Sequence, residues 1–340
     1  MSARRLEKLL RPSGRVAVPI MTHPGIDRIG KRVIDCVTDA RVQVEAMVEL
    51  ARTYPTAAAT SVMDLTVEAE AFGAAVTFRD HEIPTVTGRL VTDQATVERL
   101  RVPPSTEGRL PVYQEAARRA AAAIGDRPVL AGCIGPFSLA ARLFGMTEIM
   151  TACLLEPETI DLLLGKCTAL LLEHARALKA AGTDGLIMAE PAAGLLSEDL
   201  CDAFSSAHVR RVVEAVQDQG YLFVLHNCGN RGHCTRSMVA TGARGLHFGN
   251  QADLLEALRE VPRDRLVMGN LDPAGLMRLG TPEAVGAATT ALLSATAGWD
   301  NFVLSTGCDM PPEVPEANIA ALFQALERAN AAPDGARGIG

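Results

Sequence analysis

Eight short apolar runs recur along this chain with helix-like stretches between them, and this alternation restricts the fold more than any other feature. The runs are apolar on both faces, which is typical of strands buried in a parallel sheet. Eight strands that alternate with helices predict an α/β chain folded as a (β/α)8 TIM barrel. The predicted strands are residues 15–21, 57–63, 127–135, 184–190, 221–226, 244–250, 265–271 and 301–307.

The length of the chain agrees with one barrel domain. It has 340 residues, and single α/β barrels commonly contain roughly 250–400 residues. We therefore predict one domain over residues 1–340. The segment 80–112 lies between the second and third predicted strands and contains four prolines, so we interpret it as an insertion into the barrel rather than a linker.

Two long helices are predicted between strands, and each runs up to a glycine. The first covers residues 159–182 and begins after Pro157, and the second covers residues 197–220. Gly182 and Gly220 suit the left-handed conformation that commonly ends a helix. We therefore expect each helix to end at its glycine.

Charge and cysteine content narrow the class of protein. The chain has 33 Lys and Arg against 40 Asp and Glu, a formal net charge of −7, which argues against a nucleic-acid-binding surface. Its N-terminal residues lack the apolar core of a signal peptide, and no apolar run reaches about 18 residues, so we expect no membrane span. The 8 cysteines are then expected to be free or metal-bound thiols rather than disulfides. These features predict a soluble cytoplasmic enzyme.

A possible metal-binding group lies at the ends of two predicted strands. His226 and Cys228 come two residues apart at the end of the fifth strand, and alternate residues of a strand point the same way. Cys308 follows the eighth strand, and in this type of barrel the carboxyl ends of all strands meet at one face. Two thiols and an imidazole form a zinc ligand set, and three protein ligands with an open fourth position are typical of catalytic zinc.

The residues alone leave a second interpretation open. Cys228 and Cys308 could instead be small buried apolar residues, as free cysteines often are. A competing pair, His233 and Cys234, lies just downstream in a predicted turn or helix start. We rank this pair below the three residues at the strand ends.

Two motifs around these residues resemble those of a known family. The stretch "HNCGN" (226–230), together with "STGCDMPPEVPEANI" (305–319), resembles the zinc motifs of the methylcobamide:coenzyme M methyltransferases, a branch of the uroporphyrinogen decarboxylase-like family. The segments 61–73, 132–145 and 269–273 also look like segments of that family. The resemblance implies the barrel fold of that family, with zinc held by His226, Cys228 and Cys308.

The resemblance also implies a reaction. Enzymes of this branch move a methyl group between a methylated corrinoid and a thiol such as coenzyme M. Zinc bound to a thiol removes its proton and so makes it a nucleophile. The chain has no D-x-H-x-x-G cobalamin-binding motif, so we expect the corrinoid to arrive on a separate protein.

Three other functions remain as alternatives. A uroporphyrinogen decarboxylase needs an Arg-rich N-terminal segment, which has no counterpart in residues 18–31, and it needs no metal. Cobalamin-independent methionine synthases use a similar zinc set completed by a Glu on the next strand, and Asn250 occupies that place here. An amide is a poor substitute for a carboxylate ligand, although Asn250 stays a candidate cofactor-binding residue. A non-catalytic zinc-binding partner of a corrinoid protein is the third alternative.

Four further residues are candidates for roles beside the metal. Glu190 ends the fourth strand and is a catalytic candidate that could fill the fourth zinc position; the alternative is a helix cap or an ion pair. Asp64 falls on the aspartate of the family segment and is expected to line the site, the alternative being an N-cap. His23 ends the first strand and is a candidate cofactor-binding residue, or else a turn residue. Asp272 is expected to cap a helix that starts at Pro273.

Overall fold

One curved parallel sheet forms the centre of the computed structural model, which describes residues 2–331. Seven parallel strands follow one another in the order β1-β4-β5-β6-β7-β8-β9, and β2 and β3 form a separate antiparallel hairpin. The strands are β1 (Ala59–Thr60), β2 (Ala75–Thr77), β3 (Thr85–Thr87), β4 (Val129–Ile134), β5 (Gly185–Ala189), β6 (Leu222–Asn227), β7 (Gly245–Phe248), β8 (Leu266–Leu271) and β9 (Phe302–Thr306).

Residues near the N-terminus close this sheet into a barrel. Ala17 forms a parallel bridge with Leu304 of β9, and the amide of Val18 donates to Leu304 O over 2.8 Å. On the other side, the amide of Ala57 donates to Ala17 O over 2.8 Å, just before β1. All eight predicted strands therefore occupy positions in the ring, although the first is reduced to this single bridge. The predicted (β/α)8 barrel is confirmed.

Helices surround the sheet. The α-helices are α1 (Ser2–Leu10), α2 (Thr22–Arg28), α3 (Val33–Thr38), α4 (Ala40–Thr53), α5 (Val67–Ala71), α6 (Gln94–Arg99), α7 (Leu110–Ala123), α8 (Pro136–Phe144), α9 (Met146–Leu155), α10 (Pro157–Ala180), α11 (Glu198–Cys201), α12 (Ala207–Val216), α13 (Thr235–Ala240), α14 (Leu254–Glu260), α15 (Pro282–Ala295) and α16 (Glu316–Ala331). A 3₁₀ helix covers Pro191–Leu195, and π-helical turns cover Asp202–Ser206 and Pro273–Arg278.

The two long predicted helices differ at their ends. α10 stops as predicted before Gly182, which has a φ of +93°. The second predicted helix is continuous but contains a π-helical turn between α11 and α12, and it ends at Val216 rather than at Gly220. The expectation that Gly220 ends this helix is therefore wrong, because Gln217 already has an extended backbone with a ψ of 131°.

Apolar side chains fill the inside of the barrel and close its amino-terminal end. Leu6 and Leu9 of α1 are fully buried and belong to the same core cluster as Leu130, Val224 and other strand residues that point inward. Arg5 of α1 donates to the buried carboxylate of Asp184 over 2.9 Å. The opposite end, where the strands reach their carboxyl termini, carries the residues described below; we call it the mouth.

The segment 80–112, predicted to be an insertion, lies between β1 and β4. It contains β3, which pairs with β2, and the short helix α6. Within residues 2–331, no single helix is long and apolar enough to cross a membrane; α8 and α9 together reach that length and composition but bend by 105° between them. The last residues of the predicted domain, 332–340, lie outside the described part of the chain.

Candidate metal centre

The structure brings His226, Cys228 and Cys308 together at the mouth. One ligand atom from each lies within 4.8 Å of those of the other two. His226 is the second-last residue of β6, Cys228 follows that strand, and Cys308 follows β9. His226 is buried, whereas both cysteines are partly exposed. We call this group the His/Cys trio.

The geometry of the trio fits a tetrahedral zinc ion. Zinc–sulfur bonds of about 2.3 Å and zinc–nitrogen bonds of about 2.0 Å place neighbouring ligand atoms roughly 3.5–3.8 Å apart in a tetrahedron. The Cys308 Sγ atom lies 3.7 Å from His226 Nε2. Two partly exposed thiols also leave one side open, as a site that must accept a further ligand requires.

The two thiols of the trio interact with each other. The hydrogen bond from the Cys308 thiol lowers the pKa of Cys228 despite the burial of that side chain. The same hydrogen bond, together with burial, raises the pKa of Cys308. Cys228 is therefore the thiol that more readily becomes a thiolate, the form that binds a metal.

Glycines let the loops of the mouth approach closely enough to assemble the trio. An added Cβ at Gly249, which follows β7, would lie 2.6 Å from Cys228 O, and one at Gly307 would lie 2.3 Å from Asn250 N. Asn270 of β8 stabilises the loop that follows β7, because its Nδ2 donates to Gly249 O over 3.0 Å. The close backbone contacts between Gly249 and Cys228, and between Gly307 and Asn250, are therefore possible only because positions 249 and 307 are glycines.

A second imidazole lies behind His226. The register of β6 and β7 pairs His226 with His247, and their Nδ1 atoms are 2.7 Å apart. His247 Nε2 lies 2.9 Å from Ser305 Oγ on β9. Burial, followed by the charge of His226, lowers the pKa of His247 well below its ordinary value. Sequence reasoning missed His247, because its importance depends on the register of two strands.

Glu190 has other partners than the trio. It directly follows β5, at the predicted strand end. Its carboxylate accepts hydrogen bonds from the backbone amides of Phe137 and Ser138, each over 2.8 Å, and from Ser138 Oγ over 2.6 Å. It therefore caps the first turn of α8, which is the alternative raised for it above. Its oxygens do not join the group of ligand atoms that lie within 4.8 Å of one another. In this structure Glu190 therefore serves as a helix cap, and its role as a fourth zinc ligand stays a prediction.

Asp64 lies in a buried cluster with Arg109. Its Oδ2 accepts from Arg109 Nη1 over 2.5 Å and from the Tyr113 hydroxyl over 3.1 Å. Its Oδ1 accepts from the amide and the hydroxyl of Thr66. Arg109 also donates to Glu70 over 2.5 Å. Asp64 does not cap α5, whose N-cap position is Thr66, and Arg109 is a partner that sequence reasoning missed.

The loop of Asp64 is joined to the loop of Cys308 through the first turn of α2. The Thr22 hydroxyl accepts from the amide of Met63, and the amide of Thr22 donates to Asp309 Oδ1 over 2.8 Å. His23, the next residue of α2, is buried. Burial raises the pKa of Asp309, while Thr22 and then His23 oppose the rise. Asp64 and His23 therefore lie at the mouth, although neither belongs to the trio.

The remaining sequence candidates are placed as follows. His233 Nε2 lies 3.0 Å from Leu196 O, and Cys234 is fully buried. Neither residue belongs to the group of ligand atoms that the trio forms. Asp272 accepts from the amides of Ala274 and Gly275, each over 2.9 Å. The predicted cap before Pro273 is therefore confirmed, on a π-helical turn.

Glu68 is a buried acidic residue with one carboxylate oxygen that has no hydrogen-bond partner. Glu68 of α5 is 2% exposed. Its Oε1 accepts from the amide of Ile134 over 3.0 Å, whereas its Oε2 has no hydrogen-bond partner. Burial raises the pKa of Glu68 from 4.5 to about 7. Between these two values the folded chain keeps a proton that the unfolded chain has lost, so Glu68 makes stability fall as pH rises.

Replacing Glu68 with glutamine is expected to remove this pH dependence. The variant should match the wild type in stability near pH 4.5 and exceed it by up to about 3 kcal/mol above pH 7, because a buried ionised carboxylate becomes a neutral amide. Urea unfolding from pH 4.5 to pH 8 measures the difference. Glu107→Gln is the control, because Glu107 is exposed. Its stability should stay within about 0.5 kcal/mol of the wild type at every pH. Equal stability curves for Glu68→Gln and the wild type would contradict the prediction.

Comparison with known proteins places this barrel in a family. The family described as uroporphyrinogen decarboxylase matches residues 13–329. The methylcobamide:CoM methyltransferase MtbA of Methanosarcina acetivorans is 28% identical over 268 residues, covering 77% of this chain and 76% of that protein. The uroporphyrinogen decarboxylase of Dichelobacter nodosus is 23% identical over 300 residues, covering 86% and 85%. A solved methyltransferase from Methanosarcina mazei has a TM-score of 0.85 at 23% identity, covering 96% of this chain and 98% of that one.

These matches confirm the resemblance expected from the motifs around Cys228 and Cys308. The solved methyltransferase shares the fold, and the family match covers most of the chain. The chain therefore belongs to the uroporphyrinogen decarboxylase family.

Proposed function

We propose that this chain is a zinc-dependent methyltransferase that moves a methyl group between a methylated corrinoid and a thiol such as coenzyme M. The observation that carries the proposal is the His/Cys trio, whose ligand atoms lie within 4.8 Å of one another at the mouth of the barrel. The relatives named methylcobamide:CoM methyltransferase support it, because their names state both the methyl donor and the acceptor.

The residues of the trio would hold the metal and leave room for the thiol. His226 Nε2 and the sulfurs of Cys228 and Cys308 are the proposed ligands. Two thiolates and a neutral imidazole leave a zinc centre formally uncharged, so zinc there would lower the pKa of an incoming thiol and keep its sulfur electron-rich. The partial exposure of Cys228 and Cys308 gives the substrate sulfur access to this position.

The methyl transfer itself is a displacement at carbon. The thiolate sulfur forms a bond to the methyl group while the cobalt–carbon bond breaks, and the electron pair stays on cobalt as Co(I). The chain contributes position rather than acid–base chemistry, because no proton moves in this step. The corrinoid would reach the mouth on a separate protein, since the sequence has no cobalamin-binding motif. We place the reaction in the cytoplasm.

Decarboxylation is the alternative function, because the family includes uroporphyrinogen decarboxylases. A substrate with several carboxylates needs cations that are free to pair with them. Arg109 is already paired with Asp64 and Glu70, and the sequence shows no cluster of arginines at the end of a predicted strand. The trio would also have no role in a decarboxylation that needs no metal. The methyltransferase is therefore the better-supported proposal.

The proposed function predicts thiol-dependent demethylation of free methylcobalamin. Zinc-loaded protein mixed with methylcobalamin and a panel of thiols, coenzyme M among them, should convert the methylcobalamin spectrum and produce the matching methyl thioether, detected by mass spectrometry. The protein as purified should carry no corrinoid absorption. A parallel reaction with uroporphyrinogen tests the alternative by release of CO₂. Absence of thioether with every thiol, or decarboxylation of uroporphyrinogen, would contradict the proposal.

A further inference from the structure

Behind His226, a chain of hydrogen bonds runs through His247 and Ser305 to the backbone carbonyl of Val18. This carbonyl determines which atom donates in each hydrogen bond of the chain. Ser305 Oγ lies 2.8 Å from Val18 O and 2.9 Å from His247 Nε2. A carbonyl can only accept, so Ser305 donates its single hydroxyl proton to Val18. The oxygen of Ser305 must then accept from His247, which places a proton on His247 Nε2.

The same reasoning extends to His226. A neutral imidazole with a proton on Nε2 has an acceptor at Nδ1. His247 Nδ1 lies 2.7 Å from His226 Nδ1, so His226 must be the donor between them. The lone pair of His226 is therefore left on Nε2, the nitrogen that lies 3.7 Å from Cys308 Sγ.

We propose that His247 and Ser305 are positioning residues that hold His226 as the Nδ1–H tautomer, with Nε2 directed toward the metal position. His247 and Ser305 are both 0% exposed, so bulk water does not offer alternative partners. The inference rests on the proposed function only in treating His226 as a metal ligand. Partners behind a metal-binding histidine typically contribute about 10–100-fold to metal affinity.

The tautomers of His226 and His247 can be measured in metal-free protein. Nitrogen-15 NMR of histidine-labelled, metal-free protein at pH 8 should show His226 with its proton on Nδ1 and His247 with its proton on Nε2. Ser305→Ala removes the group that fixes His247, so both rings should then populate both tautomers. A proton on His226 Nε2 in the wild-type protein, or an unchanged spectrum in Ser305→Ala, would overturn the inference.

Zinc affinity gives the second readout. Competition with a chelator should show zinc binding about 10–100-fold weaker in His247→Leu and a smaller loss in Ser305→Ala. Ser206→Ala is the matched control, because Ser206 is also buried and its hydroxyl donates to a carbonyl, Ser237 O, over 2.9 Å. It should bind zinc as the wild type does. Unchanged affinity in His247→Leu would overturn the positioning role.

The two proposals fail separately. A protein that shows the expected tautomers and zinc affinities but does not transfer methyl groups would support the positioning role and contradict only the methyltransferase function. A protein that demethylates methylcobalamin with His226 in the other tautomer would support the function and contradict the positioning role of His247 and Ser305.

Discussion

Replacing Cys308 with alanine is expected to abolish zinc binding and methyl transfer while the fold remains. The variant keeps His226 and Cys228 but loses one of three proposed protein ligands, which should weaken zinc binding by a factor on the order of 10³ or more. The change also removes the thiol whose hydrogen bond lowers the pKa of Cys228, so the remaining thiol should bind metal less readily at neutral pH. Zinc content should drop from about one per chain to a small fraction.

Elemental analysis after dialysis, together with circular dichroism, measures this result. Cys153→Ala is the matched control, because Cys153 is a buried cysteine on α9 and does not belong to the trio. It should keep its full zinc content. A Cys308→Ala variant that retains one zinc per chain would show that Cys308 is not a ligand.

Replacing Arg109 with methionine is expected to destabilise the chain by about 3–5 kcal/mol. Asp64 has a fully buried side chain, and Arg109 is its cationic partner, at 2.5 Å. Without the guanidinium, the carboxylate of Asp64 would keep only the neutral donors Thr66 and Tyr113. A buried charge that loses its partner costs far more than the pair contributed when intact.

Urea unfolding at pH 7 measures this loss. Arg118→Met is the control, because the guanidinium of Arg118 is 58% exposed and pairs with Glu115 within the same helix. It should change stability by less than about 1 kcal/mol. The double variant Asp64→Asn with Arg109→Met should recover part of the loss, since position 64 then carries no carboxylate that has lost its cationic partner. A single Arg109→Met variant as stable as the wild type would contradict this account of the cluster.

The strands and the trio could be predicted from sequence because both depend on local patterns. Short apolar runs give the strands, and the two-residue spacing of His226 and Cys228 at a strand end brings their side chains to the same place. The position of Cys308 after the last strand was enough to place it at the mouth. The first predicted strand agrees least with the structure, since these residues form only a bridge at Ala17.

The partners of these residues could not be predicted, because they come from distant parts of the chain. His247 meets His226 only through the register of β6 and β7, and a histidine in an apolar strand gives no local sign of this contact. Glu190 was placed correctly at the end of β5, yet it turns to the helix that follows the preceding strand. Arg109 lies in the segment 80–112, and nothing in that segment points to Asp64, which is 45 residues away.

X-ray absorption at the zinc edge tests the central claim most directly. The resting protein should show two sulfur ligands, from Cys228 and Cys308, together with nitrogen or oxygen ligands. Saturation with the acceptor thiol should raise the sulfur count to three, because the substrate sulfur binds at the open position. Binding at neutral pH should also release close to one proton, which calorimetry in buffers of different ionisation enthalpy can count. A sulfur count that stays at two with saturating thiol would contradict the claim that the trio holds the acceptor for methyl transfer.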